Sequence, residues 1–260
     1  MSHSLADLLD ALSRSHEHLA DSLASVDDVE APAYPDEWSV AQVASHLGSG
    51  AAIFTLLLDA GSTDGDAPGA EQMKPLWDEW DAKSPREQVS DAIVVDAAFV
   101  PRIRELAPSA TAEWRLEFFG MNRDLPGLVR MRLGEHLMHT WDIAVAVDPS
   151  ATIDAVDVGR VFGDLPALVS MVGKGSGQPA AVLVETTDSG SRFVLDLAAD
   201  GVTLTPLDPG EDRESSATLR LPDEAFARLL YGRLDPDHTP HGVEADGVDL
   251  DTLRAALPGF

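Results

Sequence analysis

The 260-residue chain contains no cysteine. That absence excludes disulfides, thiolate-ligated zinc and an internal thiol nucleophile together, so any sulfur chemistry must use a thiol from outside the chain. Basic residues are scarce as well: 18 Lys and Arg stand against 45 Asp and Glu, for a formal net charge of -27. A field of that sign repels polyanions, so neither nucleic acid nor an anionic membrane surface is an expected partner, and the charge reads as a solubility feature. The apolar runs look far short of a membrane span, and the chain begins with polar MSHS rather than a basic region followed by an apolar one. The expectation is a soluble, cytoplasmic protein. Nucleotide-binding signatures are missing: no G-x-G-x-x-G follows a strand, and KGSGQP lacks the context of a phosphate loop. A serine nucleophile has no elbow motif.

What is present is a chain with 44% hydrophobic residues, enough for one large core or two small ones. Leu5, Leu8, Leu9, Leu12 and Leu19 recur at helical spacing over residues 3–25, ahead of the acidic, proline-containing turn DDVEAPAYPDE. Ser39 and Gln42 form a capping-box pattern, and Val40, Val43, Leu47, Phe54 and Leu58 carry a second helix to GSTDGDAPG. A third helix is predicted from about Pro85 to Leu106, with Pro101 placed to kink or end it. The fourth runs from about Leu125 to Val147 and stops at DPS. Four long helices joined by loops predict an antiparallel four-helix bundle, a scaffold whose facing helices can build metal sites.

After one more helical stretch near 153–172, the glycine-rich KGSGQP reads as a linker. Beyond it AAVLVETT, SRFVLDLA, GVTLTP and SATLRLP cluster β-formers between turn residues, followed by the helical PDEAFARLLYGR and a short helix in DLDTLRAALPGF. The predicted division is therefore a helical domain over 1–172 and a small α+β domain with an antiparallel sheet over 178–260.

The chemistry-bearing residues lie on the fourth helix. Glu135 and His139 are four residues apart in GEHLMHTWD, so they project from one helix face and can reach a common ion. His46, on the otherwise apolar second helix, offers a third donor. Three protein ligands with a position left open is the pattern of a catalytic rather than a structural zinc. Arg132, Glu135, His139 and Asp142 follow at steps of three, four and three, a polar stripe on a helix that is apolar over most of its circumference. Buried charges require partners or a metal. On spacing alone, Arg132 and Glu135 also suit an ordinary helical ion pair, with His139 in the core or facing solvent. Asp142 is placed either to accept the second imidazole N–H of a ligating His139 or to sit on the helix surface. His136 points roughly 100 degrees away and is the weaker ligand candidate. His16 and His18 read as surface residues, and His3, His238 and His241 lie near a terminus or in polar contexts.

EWSVAQVASHL followed by GEHLMHTWDIAVAVD resembles the N-terminal metal-binding domain of the mycothiol-dependent maleylpyruvate isomerase family, within the DinB-like four-helix superfamily. SATLRLPDEAFARLLYGR and the closing DGVDLDTLRAALPGF resemble that family's C-terminal domain, which is similar to sterol carrier protein folds. The resemblance implies a divalent metal, usually zinc, on His46, Glu135 and His139, with the low-molecular-weight thiol mycothiol at the open position. There the metal would lower the thiol pKa. It further implies addition of the thiolate to the cis double bond of maleylpyruvate, rotation of the adduct and elimination of fumarylpyruvate. The superfamily also includes thiol S-transferases and proteins with no known reaction, so the resemblance leaves S-transfer to a small electrophile open beside isomerisation. A dianionic substrate needs local cations, and the resemblance points to Arg233 in LLYGR, which also reads as a surface arginine favoured at a helix end. A metal-dependent hydrolase using activated water, and a non-catalytic metal-binding or small-molecule-binding protein, remain as alternatives. Nothing in the sequence specifies an oligomeric state.

Overall fold

The computed structural model describes residues 3–63, 65–106, 108–118 and 120–259. They form two compact units that divide between Ala151 and Thr152.

The first unit is helical. Helices α1 (Leu5–Ala24), α2 (Val40–Ser62), α4 (Pro85–Ala97) and α7 (Leu125–Val147) supply its framework, with α1 packed on α7 and α4, and α2 on α4 and α7. Each starts at a side-chain cap: Ser4, Ser39 and Ser84 close capping boxes with Asp7, Gln42 and Glu87, and the Asp124 carboxylate accepts from the Gly127 N–H. These caps satisfy amide groups that have no partner inside the helix. The core between the helices includes Leu19, Leu23, Val40, Val43, Leu47, Ala92 and Ile143. Between α2 and α4 lies α3 (Ala70–Asp81), docked by Trp80, whose ring occupies the space that a Cβ at Gly48 would fill.

The helix expected over 85–106 is two helices. It breaks at Ala98, where α4 ends and α5 (Phe99–Arg104) begins. Pro101 accounts for the break, since it cannot donate to the Ala97 carbonyl and its ring crowds it. After α6 (Pro108–Glu113), strands β1 (Arg115–Phe118) and β2 (Met121–Asp124) pair as an antiparallel hairpin with Gly120 at φ +70 in the turn. Trp114 anchors this segment: it is 1% exposed, donates from Nε1 to the Leu58 carbonyl at 2.8 Å, and lies against Gly61. The hairpin delivers the chain into α7 at its Asp124 cap.

The expectation of apolar runs far short of a membrane span holds only in part. α2 is long and apolar enough by length and composition to cross a membrane. Its serines and glycines interrupt the apolar run without making the helix polar. Fourteen of its residues, among them Leu47, Leu57 and Leu58, are buried inside the unit, so it serves as a core helix.

The second unit contains α8 (Ala155–Gly159), a 3-10 turn at Phe162–Asp164 and α9 (Leu165–Val172), which lead into strands β3 (Ala180–Thr186), β4 (Arg192–Leu197), β5 (Val202–Pro206), β6 (Ala217–Leu221) and β7 (Glu244–Asp246). Helix α10 (Asp223–Leu230) follows β6, and α11 (Leu250–Ala256) follows β7. The two units divide at Ala151/Thr152, earlier in the chain than the expected 172–178 linker, and within the second unit α9 packs on β5 and α8 on α10. The sheet order is β5-β4-β3-β6-β7. It is mixed, not purely antiparallel: β3 and β6 run parallel, Val184 opposite Leu219. The β3–β4–β5 meander occupies one edge of β3, and the chain returns in β6 along the other. Phe162, Phe193 and Phe226 form the aromatic centre, with ring centroids 5.0 to 5.9 Å apart.

Candidate metal centre

Helices α2 and α7 bring His46, Glu135 and His139 together. His46 lies two turns into α2, one face over from the buried Val43 and Leu47. Glu135 and His139 sit one turn apart near the middle of α7, flanked by the buried Leu133, Leu137 and Met138. The side chains are 35%, 32% and 14% exposed. His46 Nε2 is 3.3 Å and His139 Nε2 3.8 Å from Glu135 Oε2, and the two imidazole centroids are 4.4 Å apart. One donor atom from each lies within 4.8 Å of the others. Donor atoms about 2.0 Å from a tetrahedral zinc lie roughly 3.3 Å from each other, so this spacing fits a divalent ion. Two imidazoles and one carboxylate also match the chemistry of an open zinc site.

The electrostatics agree with the geometry. Burial alone would raise the Glu135 pKa. The hydrogen bond with His46, together with the positive charges that His139, His46 and Arg132 can carry, outweighs it and holds the carboxyl at about 2. Glu135 is therefore an anion throughout the physiological range, ready to bind a cation.

Asp142 is not on the helix surface. It is 1% exposed and accepts from His139 Nδ1 at 2.9 Å. With Nδ1 carrying that proton, Nε2 is the nitrogen left to accept, 3.8 Å from Glu135 Oε2. Trp38, just before the α2 cap, was not among the expected site residues. Its ring stacks on His139 at 6.2 Å and lies 5.4 Å from His46, yet it remains 42% exposed. Its place in EWS, eight residues ahead of His46, was the only signal.

The spacing left open an Arg132–Glu135 ion pair, and it does not form. Arg132, 1% exposed, donates from Nη2 to Asp96 Oδ1 at 2.6 Å and to the Leu47 carbonyl at 2.9 Å. His136 points away from the metal donors, as its position round the helix predicts. It is fully buried, and its Nε2 lies 2.9 Å from Asp96 Oδ2. Burial, the largest influence, pushes its pKa down. The expectation that His16 is a surface residue is corrected: its Nδ1 lies 2.7 Å from Asp96 Oδ2, and its side chain is 23% exposed. That hydrogen bond raises its pKa. Asp96 and its two histidines form a second group of potential ligands. The 2.7 and 2.9 Å separations are those of direct hydrogen bonds, shorter than ligands spread round an ion, and the Arg132 cation already occupies the carboxylate. This group is a buried polar network.

Arg233, in the second unit, follows α10 in a turn that needs glycine: Gly232 has φ +74, and a Cβ there would stand 2.3 Å from the Pro258 carbonyl oxygen. The Arg233 amide donates to the Arg228 carbonyl at 2.6 Å and its Nη1 to the Tyr231 carbonyl at 2.9 Å. Buried Arg228 grips Glu224 through two hydrogen bonds, at 2.6 and 2.9 Å, and reaches the Arg233 and His238 carbonyls. The turn is held from beneath.

Two family models cover most of the chain. Residues 9–144 match the mycothiol maleylpyruvate isomerase N-terminal domain and residues 166–254 match the MDMPI C-terminal domain. The chain belongs to the mycothiol-dependent maleylpyruvate isomerase family. Two crystal structures share this fold, one of the mycothiol-dependent maleylpyruvate isomerase and the other of a histidine-to-alanine mutant of it. They are 16% and 17% identical to this chain, with TM-scores of 0.66 and 0.69, and in each pair 95% of both chains is covered. No curated protein matches the chain in sequence. Membership makes this a chain of a family named for an enzyme, with a helical N-terminal region and a C-terminal sheet domain.

Proposed function

We propose that this chain is a metal-dependent, mycothiol-using enzyme that activates a thiolate for isomerisation of, or S-transfer to, a small electrophile. The observation that carries the reading is the convergence of His46, Glu135 and His139 at metal-ligand spacing in a chain without cysteine. A divalent metal, zinc by the donor set, would be held by these three on the DinB-like four-helix framework. When bound, it would lower the pKa of a coordinated thiol, and a thiolate adds reversibly to an activated cis double bond, so isomerisation consumes no thiol.

The protein's own groups have definite parts in this reading. Glu135 supplies a permanent negative charge that offsets part of the charge of a divalent ion. Asp142 keeps the proton on His139 Nδ1 and so leaves Nε2 to ligate. Trp38 covers one side of the two imidazoles and limits water there. Arg233 is assigned the recognition of an anionic substrate group, supported by the resemblance of LLYGR to the family and by the rigid turn that holds it. Its planar fork suits a carboxylate, a need made sharper by a chain of net charge -27. The cytoplasm, where a thiol pool stays reduced, is the compartment this chemistry requires.

The test is thiol dependence. Maleylpyruvate and a model electrophile are offered to the metal-loaded protein with and without mycothiol. Turnover that needs both the metal and the thiol is expected. Equal turnover without thiol would replace this reading with activation of water.

A further inference from the structure

Outside the metal donors, Asp96 on α4 is a densely connected polar group of the helical unit. Its side chain is 3% exposed, yet it meets three charged or titratable side chains from two other helices. Oδ1 accepts from Arg132 Nη2 at 2.6 Å, and Oδ2 lies 2.9 Å from His136 Nε2 and 2.7 Å from His16 Nδ1. His136 in turn lies 2.7 Å from Ser15 Oγ on α1 through its Nδ1. With Ser15 donating to Nδ1, His136 Nε2 carries the proton and donates to Asp96.

Where these partners stand in the chain decides what the network does. Arg132 is three residues before Glu135 and His136 is one after it, so Asp96 holds α7 on both sides of the ligand. The same Arg132 Nη2 donates to the carbonyl of Leu47, the residue after His46. Gly50 lies beside that contact: a Cβ there would stand 2.8 Å from Arg132 Nη1. One carboxylate and one guanidinium thus tie the ligand-bearing turns of α2 and α7 to each other and to α4.

We propose that Asp96 is a positioning residue for the metal centre, acting through Arg132 and His136 to set the separation of His46 from Glu135 and His139. The inference rests on the metal reading above. Both Asp96 oxygens are engaged, and losing this carboxylate leaves Arg132 and His136 buried without their charged partner. Metal affinity depends steeply on such support, because the donors must already stand at ligand distance before the ion arrives.

The experiment compares wild type, Asp96→Asn and Arg132→Lys as full-length proteins loaded with Co2+. Affinity is read by competition with a chromophoric chelator, geometry by the cobalt ligand-field spectrum at saturation, and folding by far-UV circular dichroism. The proposal predicts wild-type helix content, affinity reduced roughly ten-fold or more, and a shifted cobalt spectrum in the variants. Should Asp96→Asn fail to fold, Arg132→Lys, which keeps the charge but loses the fork that spans Asp96 and Leu47, carries the same prediction. Folded variants with wild-type affinity and spectrum overturn the positioning role and leave the metal reading intact. A wild type that binds no Co2+ at all overturns both.

Discussion

His139 donates through Nδ1 to the buried carboxylate of Asp142 at 2.9 Å, one turn further along the same helix. A metal ligand with two nitrogens needs one of them committed elsewhere, and here the helix repeat itself supplies the partner. Asp142→Asn keeps the size of the side chain but offers an amide that can either accept or donate. The variant is expected to lose metal affinity by about 10–100-fold with little change in helix content. Chelator competition measures it, and an unchanged affinity would show that the tautomer is set by something else.

Gly48 tests how α3 is docked. A Cβ at this position would sit 2.2 Å from the Trp80 ring, and Trp80 is 4% exposed. Replacing glycine by alanine inside a helix gains about 1 kcal/mol of helix propensity. Forcing a methyl against a buried ring costs typically 1–3 kcal/mol, so the clash is expected to prevail. Gly48→Ala should lower the Tm of the helical unit and change tryptophan emission. A raised Tm would mean that the ring moves aside without loss.

Acid tests the Asp96 network. Burial alone would raise the Asp96 pKa, but the charges of His136 and Arg132 and the hydrogen bonds from His136 and His16 hold it well below the ordinary 3.8. A carboxyl depressed in the folded state stabilises in full above its unfolded pKa and loses that contribution as pH falls from there through its folded pKa. Asp96→Asn should therefore be less stable than wild type at neutral pH, with the gap narrowing below about pH 3.8, where the unfolded carboxyl takes up a proton that the folded one still refuses. Denaturant titrations at pH 7 and pH 3 check this, and a gap that stays constant would contradict it.

Arg233→Lys keeps the positive charge and removes the planar fork. For an anionic substrate the expected result is a KM raised roughly ten-fold or more, with kcat less affected, since a two-point contact to a carboxylate becomes a single one. Steady-state kinetics on the thiol-supplemented enzyme decide it. An unchanged KM would return Arg233 to the role of a turn residue.

The features legible in the sequence were those with a periodic apolar face or a capped start. α1, α2 and α7 begin and end close to where Leu5, Ser39 and DPS indicated, because caps and prolines act locally. α3 was hidden because Trp80 is its only buried residue, so it shows no helical stripe. The β1–β2 hairpin leaves little signal in the sequence because its strands are four residues each and bury almost nothing. The parallel pairing of β3 with β6 is a long-range choice that no local pattern encodes. In the site, the i to i+4 spacing on α7 pointed to Glu135 and His139 correctly as neighbours. Asp96 was invisible as a partner of Arg132 and His136 because 36 and 40 residues of chain separate them.

Metal binding by His46, Glu135 and His139 is open to direct measurement. Metal content per chain, measured by elemental analysis after purification without chelator, tests it for wild type, His46→Ala and Glu135→Gln. Close to one divalent ion is expected in wild type and a large loss in both variants, with circular dichroism unchanged. Equal metal content in all three proteins would contradict it.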